Sequence, residues 1–281
     1  MKFGINTFLF TSPFTNASTR LFPKFKAWGF DGVEIAVENV GDLDPAFVRA
    51  QLDRHGLACT SVCACFPPGR DLRGTLAQQR AAVAYVKTLV DYAEILGTKI
   101  VMGPLYLVTG RAEATPPELY RRQWRTVRAH LKTICAYAEA NGKEICLEPL
   151  NRFETDFLNT VEQGLRMIRE VNRPALKLLL DTFHMNIEEK NPAAAIRCAG
   201  KHLGHFHASA SDRGTPGNDH VDWRGVAAAL KAVRYDGAVV IESFTPDVAV
   251  IARAAAIWRK IEPRREDIAV KGLAFLKKTF K

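Results

Sequence analysis

The passage Lys177-Leu-Leu-Leu-Asp181, followed by the proline-led run Pro192–Ala199 and then by Gly204-His-Phe-His207, decides the fold. Two short apolar runs, each ending in a polar side chain, flank a segment of helical composition. That order, strand then helix then strand, is a parallel crossover unit. Parallel strands covered on both faces are short and apolar, as these runs are.

Working outward, the same unit recurs in both directions. Further strand candidates are Phe3–Thr7, Gly32–Val37, Ala58–Cys63, Lys99–Met102, Ile145–Glu148 and Ala238–Glu242, which bring the number to eight. Helix candidates alternate with them: Ser18–Trp28, Pro45–His55, Thr75–Leu96, Pro117–Ala140, Val161–Val171, Trp223–Val233 and a carboxy-terminal stretch from Val248 onward. Gly29, Gly56, Gly97, Gly142 and Gly237 each fall where a helix ends and a strand is about to begin. Eight repeats predict an α/β fold, a single (β/α)8 TIM barrel over residues 1–281, close to the ~250 residues typical of that architecture. The rival, an open doubly wound sheet, lacks a GxGxxG after its first strand.

Composition agrees. Hydrophobic residues make up 47% and charged residues 25%, which excludes the disordered and fibrous classes. No apolar run approaches the ~20 residues of a membrane span. Met1-Lys-Phe-Gly-Ile-Asn6 enters a strand pattern rather than a signal peptide, so the expected location is the cytoplasm, with no membrane partner. The net charge of +9 permits an anionic partner. The basic residues are dispersed along helices, however, as at Arg121, Arg122, Arg125, Arg128 and Lys132, and no nucleic-acid motif accompanies them. Solvated helix faces and no nucleic-acid partner are expected. The six cysteines lack CxxC pairing and read as buried or pocket-lining thiols in a reducing compartment.

Barrel enzymes carry their chemistry at the carboxyl ends of the strands. There the last four strand candidates offer Glu148, Asp181, His207 and Glu242, spaced 33, 26 and 35 residues apart, each about one βα unit. Three carboxylates meeting in a partly dry pocket repel one another unless a cation neutralises them. With one imidazole they form a donor set for Mn2+, Co2+, Mg2+ or Zn2+. Taken singly, each acid also reads as a helix cap or salt-bridge partner; four in step across consecutive strands favour a metal site. His184 and Glu154 occupy loops that roof such a site, where substrate contact competes with a surface role. Arg213, in Ser-Asp-Arg213-Gly-Thr-Pro-Gly, is placed to bring a guanidinium over the pocket. His205 faces the same way as His207, either holding a ligand or packing within the barrel.

Four ordered segments carry a resemblance: Glu148-Pro-Leu-Asn-Arg-Phe-Glu154; Asp181-Thr-Phe-His-Met-Asn-Ile-Glu188; Gly204-His-Phe-His207 with Arg213-Gly-Thr-Pro-Gly217 and Asp222-Trp223; and Tyr235-Asp-Gly-Ala-Val-Val-Ile-Glu-Ser-Phe244. They closely resemble the ketose 3-epimerases, including the D-tagatose and D-allulose (D-psicose) 3-epimerases, within the xylose-isomerase-like barrel group. The resemblance implies that Glu148, Asp181, His207 and Glu242 ligate a divalent metal, usually Mn2+ or Co2+. It also implies that Glu148 and Glu242 are an acid/base pair, that Glu154, His184 and Arg213 contact a free ketose, and that Gly103 forms a further wall. Two departures stand out. Asn6 takes a position where relatives commonly carry Tyr or Phe, altering the wall expected to face the far end of the sugar. Asn218-Asp219 replaces a small residue and Gly.

The implied chemistry is removal of the C3 proton from one face of the ketose and its return to the other, through an enediolate. Phe8, Phe10, Phe14, Phe66, Leu105, Phe183 and Phe244 are candidates for an apolar lid, or for core. The runs Ala112–Tyr120 and Lys260–Asp267 fall outside the eight units, where members of this family, usually dimers or tetramers, have surface to pair. Competing readings are an aldose–ketose isomerase, a metal-dependent nuclease for abasic DNA, and a catalytically silent sugar-binding protein.

Overall fold

The computed structural model describes residues 1–108 and 110–280. Eight parallel strands close into a barrel in sequence order: β1 (Lys2–Asn6), β2 (Gly32–Val37), β3 (Ala58–Ala64), β4 (Ile100–Gly103), β5 (Glu144–Leu147), β6 (Leu176–Asp181), β7 (Leu203–His207) and β8 (Ala238–Ile241), with β8 returning to pair with β1. Every strand expected from the sequence is present, displaced by no more than a residue at either end.

Side-chain alternation along these strands sorts two cores. Val33, Ile35 and Val37 of β2, Leu176, Leu178 and Leu180 of β6, and Val239 and Ile241 of β8 belong to the outer core, beneath the helices. Ala36, Cys63, Met102, Cys146 and Leu179 form a smaller cluster inside the barrel. Continuing the inward alternation by two residues leads from Cys146 to Glu148 and from Leu179 to Asp181. The interior thus combines this apolar cluster with the buried polar side chains Glu34, Ser61 and His205, and is polar at the carboxyl rim.

The helices are α1 (Phe22–Ala27), α2 (Pro45–His55), α3 (Leu76–Leu96), α4 (Pro117–Ala140), α5 (Val161–Val171), α6 (Thr182–Glu188), α7 (Pro192–Ala199), α8 (Trp223–Ala232), α9 (Ala249–Ala254) and α10 (Arg265–Thr279). Their starts follow local chemistry: Asp44 caps α2, while Thr75 with Gln78 and Thr160 with Gln163 form capping boxes on α3 and α5. Gly56 and Gly97 terminate α2 and α3 at φ 61° and 74°, a backbone region that disfavours side chains.

Three expectations need correction. The first helix begins as a 3-10 turn over Asn16–Leu21 and becomes α-helical only at Phe22. The carboxy-terminal stretch divides into α9 and α10, because a Pro-containing connection lies between them. Of the two runs assigned outside the repeats, Pro117–Tyr120 opens α4 and Arg265–Asp267 opens α10. Among the described residues no helix is long and apolar enough to cross a membrane. All six cysteines are free. Cys63 and Cys65 line the cavity described below, and Cys198 is exposed rather than buried.

Candidate active site

The rim brings the four anticipated side chains to one point. Glu148 follows β5, Asp181 ends β6, His207 ends β7 and Glu242 follows β8. One donor atom from each lies within 4.8 Å of all the others, and all four side chains are buried.

Local structure fixes each of them. Asp181 serves twice: Oδ1 accepts the Phe183 N–H at 2.7 Å and caps α6, while Oδ2 faces the cluster. One oxygen of this acid is thus a helix cap, and the other lies in the cluster. The Glu148 N–H donates to the Gly103 carbonyl at 3.1 Å, and the Tyr106 hydroxyl donates to the Glu148 carbonyl at 3.0 Å. Gly103 has φ 127°, and a Cβ there would stand 2.9 Å from the Ala64 carbonyl oxygen, so only glycine fits beside Glu148. Its neighbour Pro104 supplies the cavity wall.

Arg213 is the cation of the site. Its backbone is left-handed, at φ 62°, and its guanidinium lies 4.2 Å from the ring centre of Phe183 and 4.7 Å from that of Phe244. Nη1 donates to Asp181 Oδ2 at 2.7 Å, Ser209 Oγ at 3.0 Å and Glu242 Oε2 at 3.0 Å. His184 Nδ1 lies 3.1 Å from the Asn151 N–H, and Nε2 lies 3.2 Å from Arg213 Nη2 and 3.6 Å from Glu148 Oε1. Burial lowers the His184 pKa and keeps the ring neutral. Glu154 reaches it indirectly: Asn151 Nδ2 lies 2.7 Å from Glu154 Oε1 and 2.9 Å from His184 Nδ1.

Burial drives the Glu148 carboxyl well above the usual carboxylate range, and the nearby Glu242 adds to it. Burial acts on Asp181 in the same direction, but Arg213, His184 and His207 outweigh it and hold that carboxyl at about 2. For His207, burial disfavours the cation, yet Glu34 and Glu242 raise it well above an ordinary histidine. Acids of such different proton affinity within one cluster are the usual condition for acid/base work.

Glu148 Oε1 and His207 Nδ1 are buried without a hydrogen-bond partner. An orphaned polar atom costs roughly 1–3 kcal/mol, and a cation shared by these donors removes that cost. Three carboxylates and an imidazole are a donor set for a divalent ion. The buried cluster can therefore hold a divalent metal.

A cavity of about 490 Å³ opens over the cluster, with Glu148, Glu154, His184, Arg213 and Glu242 on its polar side. Phe8, Phe66 and Phe244 line its apolar side. The remaining lid candidates belong elsewhere: Phe10 packs on Phe25 and Trp28, Phe14 on Phe22, and Leu105 lies in the outer core, while Phe183 backs Arg213.

Asn6 is a correction. It is fully buried and forms no wall facing a distant part of a ligand; its amide donates to Glu34 Oε1 at 2.6 Å and to Glu242 Oε1 at 3.2 Å. Asp219 folds its own loop, accepting from the Gly217 and Val221 N–H groups and from the Trp223 indole. Glu34 and Asn151 went unrecognised in the sequence. Glu34 had a signal: an acid inside the apolar strand Gly32–Val37 is a buried charge that needs partners. His205, open between ligand support and packing, bonds Glu34 through Nε2 at 2.7 Å.

Barrel, rim cluster and cavity define a class, and the chain belongs to the xylose isomerase-like TIM barrel family, whose model matches residues 22–279. Within it, the chain is 35% identical to the "Probable ketose 3-epimerase" of Synechocystis sp., over 100% of this chain and 97% of the relative. It is 31% identical to the L-ribulose 3-epimerase of Methylomonas sp., over 90% of this chain and 88% of that protein. The fold superposes on the crystal structure of D-allulose 3-epimerase from Methylomonas sp. in complex with D-allulose at a TM-score of 0.92 and 29% identity, covering 99% of this chain and 97% of that one.

Proposed function

We propose that the protein is a metal-dependent ketose 3-epimerase. It interconverts free ketoses epimeric at C3, of the D-fructose/D-allulose, D-tagatose/D-sorbose or L-ribulose/L-xylulose type. The observation that carries this reading is the meeting of Glu148 and Glu242, delivered from β5 and β8 to one buried cluster at the floor of a sugar-sized cavity. The relatives reported above carry the names of 3-epimerases, which favours chemistry at C3 over hydrogen transfer between C1 and C2.

Glu148, Asp181, His207 and Glu242 would hold the ion, Mn2+ or Co2+ by the family resemblance, with Mg2+ also suited to the donors. When bound, it supplies Lewis-acid polarisation of the C2 carbonyl and makes the C3 proton more acidic. Glu148 and Glu242 act as the proton-transfer pair, one ionised as base and one protonated as acid, with roles exchanged in the reverse direction. Arg213 and neutral His184 bond the O1–O3 end of the sugar, Glu154 steadies His184 through Asn151, and Gly103 seats Glu148. Phe8, Phe66 and Phe244 exclude water from the enediolate.

The protein functions as one barrel domain over residues 1–281, as a cytoplasmic homodimer or homotetramer. The direct test is product analysis with fructose, tagatose, ribulose and xylulose. The C3 epimer is expected from at least one of them; an aldose as the sole product contradicts the proposal.

A further inference from the structure

Glu34 is a fully buried carboxylate that no proton-transfer step uses, and donors converge on it from four sides. Asn6 Nδ2 lies 2.6 Å from Oε1, Ser61 Oγ 2.5 Å from Oε2, and His205 Nε2 2.7 Å from Oε2; His207 Nε2 lies 3.0 Å from Oε1 and 3.2 Å from Oε2. A carboxylate so buried persists only if its oxygens are satisfied. Because Glu34 engages Nε2 of His207, the opposite nitrogen, Nδ1, is the one turned to the cluster, 3.4 Å from Glu242 Oε2 and 4.0 Å from Asp181 Oδ2. The second proton of the Asn6 amide reaches Glu242 Oε1 at 3.2 Å, and the Phe8 N–H pins the amide oxygen at 2.8 Å. One amide therefore spans the carboxylate that orients the imidazole and the carboxylate assigned to proton transfer.

We infer that Glu34 and Asn6 are positioning residues: Glu34 aims His207 Nδ1 at the ion, and Asn6 fixes Glu242 in register with it. This inference rests on the epimerase reading for the role of Glu242, but its metal-binding half stands without any sugar. A carboxylate behind a ligating histidine fixes the ring's orientation and raises its basicity, and losing such support weakens metal binding roughly tenfold to hundredfold.

The two residues separate by experiment. Binding of Mn2+ by calorimetry, the visible spectrum of the Co2+ form, and kcat and KM are measured for wild type, Glu34→Gln and Asn6→Ala. Circular dichroism of the metal-free proteins confirms folding. Glu34→Gln is expected to weaken Mn2+ binding roughly tenfold to hundredfold and to alter the Co2+ spectrum. Asn6→Ala removes a donor from both Glu34 and Glu242 but leaves Glu34 on His207, so kcat is expected to fall roughly tenfold, with a smaller loss of Mn2+ affinity than in Glu34→Gln. If Glu34→Gln does not fold, Ser61→Ala, which removes one donor from Glu34, takes its place, with a smaller loss of affinity expected. Wild-type affinity and an unaltered Co2+ spectrum in the folded Glu34 or Ser61 variant overturn the role of Glu34. Wild-type kcat in Asn6→Ala overturns that of Asn6. A wild-type protein that binds Mn2+ but epimerises no ketose overturns the epimerase reading and leaves the metal-affinity comparison intact.

Discussion

Arg213 Nη1 stands 2.7 Å from Asp181 Oδ2, with both side chains buried. The pair sets a permanent cation against a carboxylate that it helps to hold at about 2 against the pull of burial. Removing one member of a buried pair strands the other charge in a dry site, which typically costs 3–5 kcal/mol.

Arg213→Ala should therefore destabilise the metal-free protein by about 3–5 kcal/mol in urea unfolding. It should also raise KM for the ketose, because the guanidinium is assigned to the O1–O3 end. A stability loss below about 1 kcal/mol, the scale of exposed pairs, would show that Arg213 and Asp181 are not coupled as described.

Metal removal should be visible without substrate. An ion that binds only the folded state at a hundred times its Kd stabilises by about 2.7 kcal/mol. Dialysis against a chelator is thus expected to lower Tm by several degrees and to abolish turnover, with both restored by Mn2+ or Co2+. An unchanged Tm on re-addition would mean that the cluster does not take up the ion.

Asp156 offers a pH test away from the cluster. Burial raises its carboxyl, but Thr115, with hydroxyl and N–H at 2.6 and 2.8 Å, and Arg73, at 2.8 Å, pull it well below the usual range. A depressed folded-state value gives stability that is complete above the unfolded value near ~3.9 and lost as pH falls through the folded one. Asp156→Asn should thus be less stable than wild type at pH 7, and the difference should shrink as the pH is lowered below about 4. A difference that grows with acid would reverse the sign and exclude this account of Asp156.

The barrel was legible because strand length, apolar runs and C-cap glycines are local signals, and eight repeats reinforce one another. Glu148, Asp181, His207 and Glu242 were legible for the same reason: each ends or directly follows a strand, and barrel geometry converts ends of neighbouring strands into neighbours in space. Glu34 is marked locally only as a charge in an apolar strand, and the partners of Glu34 and Asn6 are not legible, because those contacts lie 28 and 236 residues apart in the chain, beyond any window of sequence. Asn151 was hidden differently, since its link between Glu154 and His184 depends on how one loop folds. Composition predicts a single carboxy-terminal helix because helix-forming residues continue through Ala249–Ala254; the break is the Pro263-containing connection between α9 and α10.

The most direct measurement is exchange of the C3 hydrogen with deuterated water, followed by NMR, in Glu148→Gln and Glu242→Gln proteins that still bind Mn2+. A base and an acid on opposite faces of C3 predict that each substitution cuts interconversion of the epimers by roughly a hundredfold or more. Exchange and epimerisation at the wild-type rate in both variants would contradict the assignment of these two glutamates.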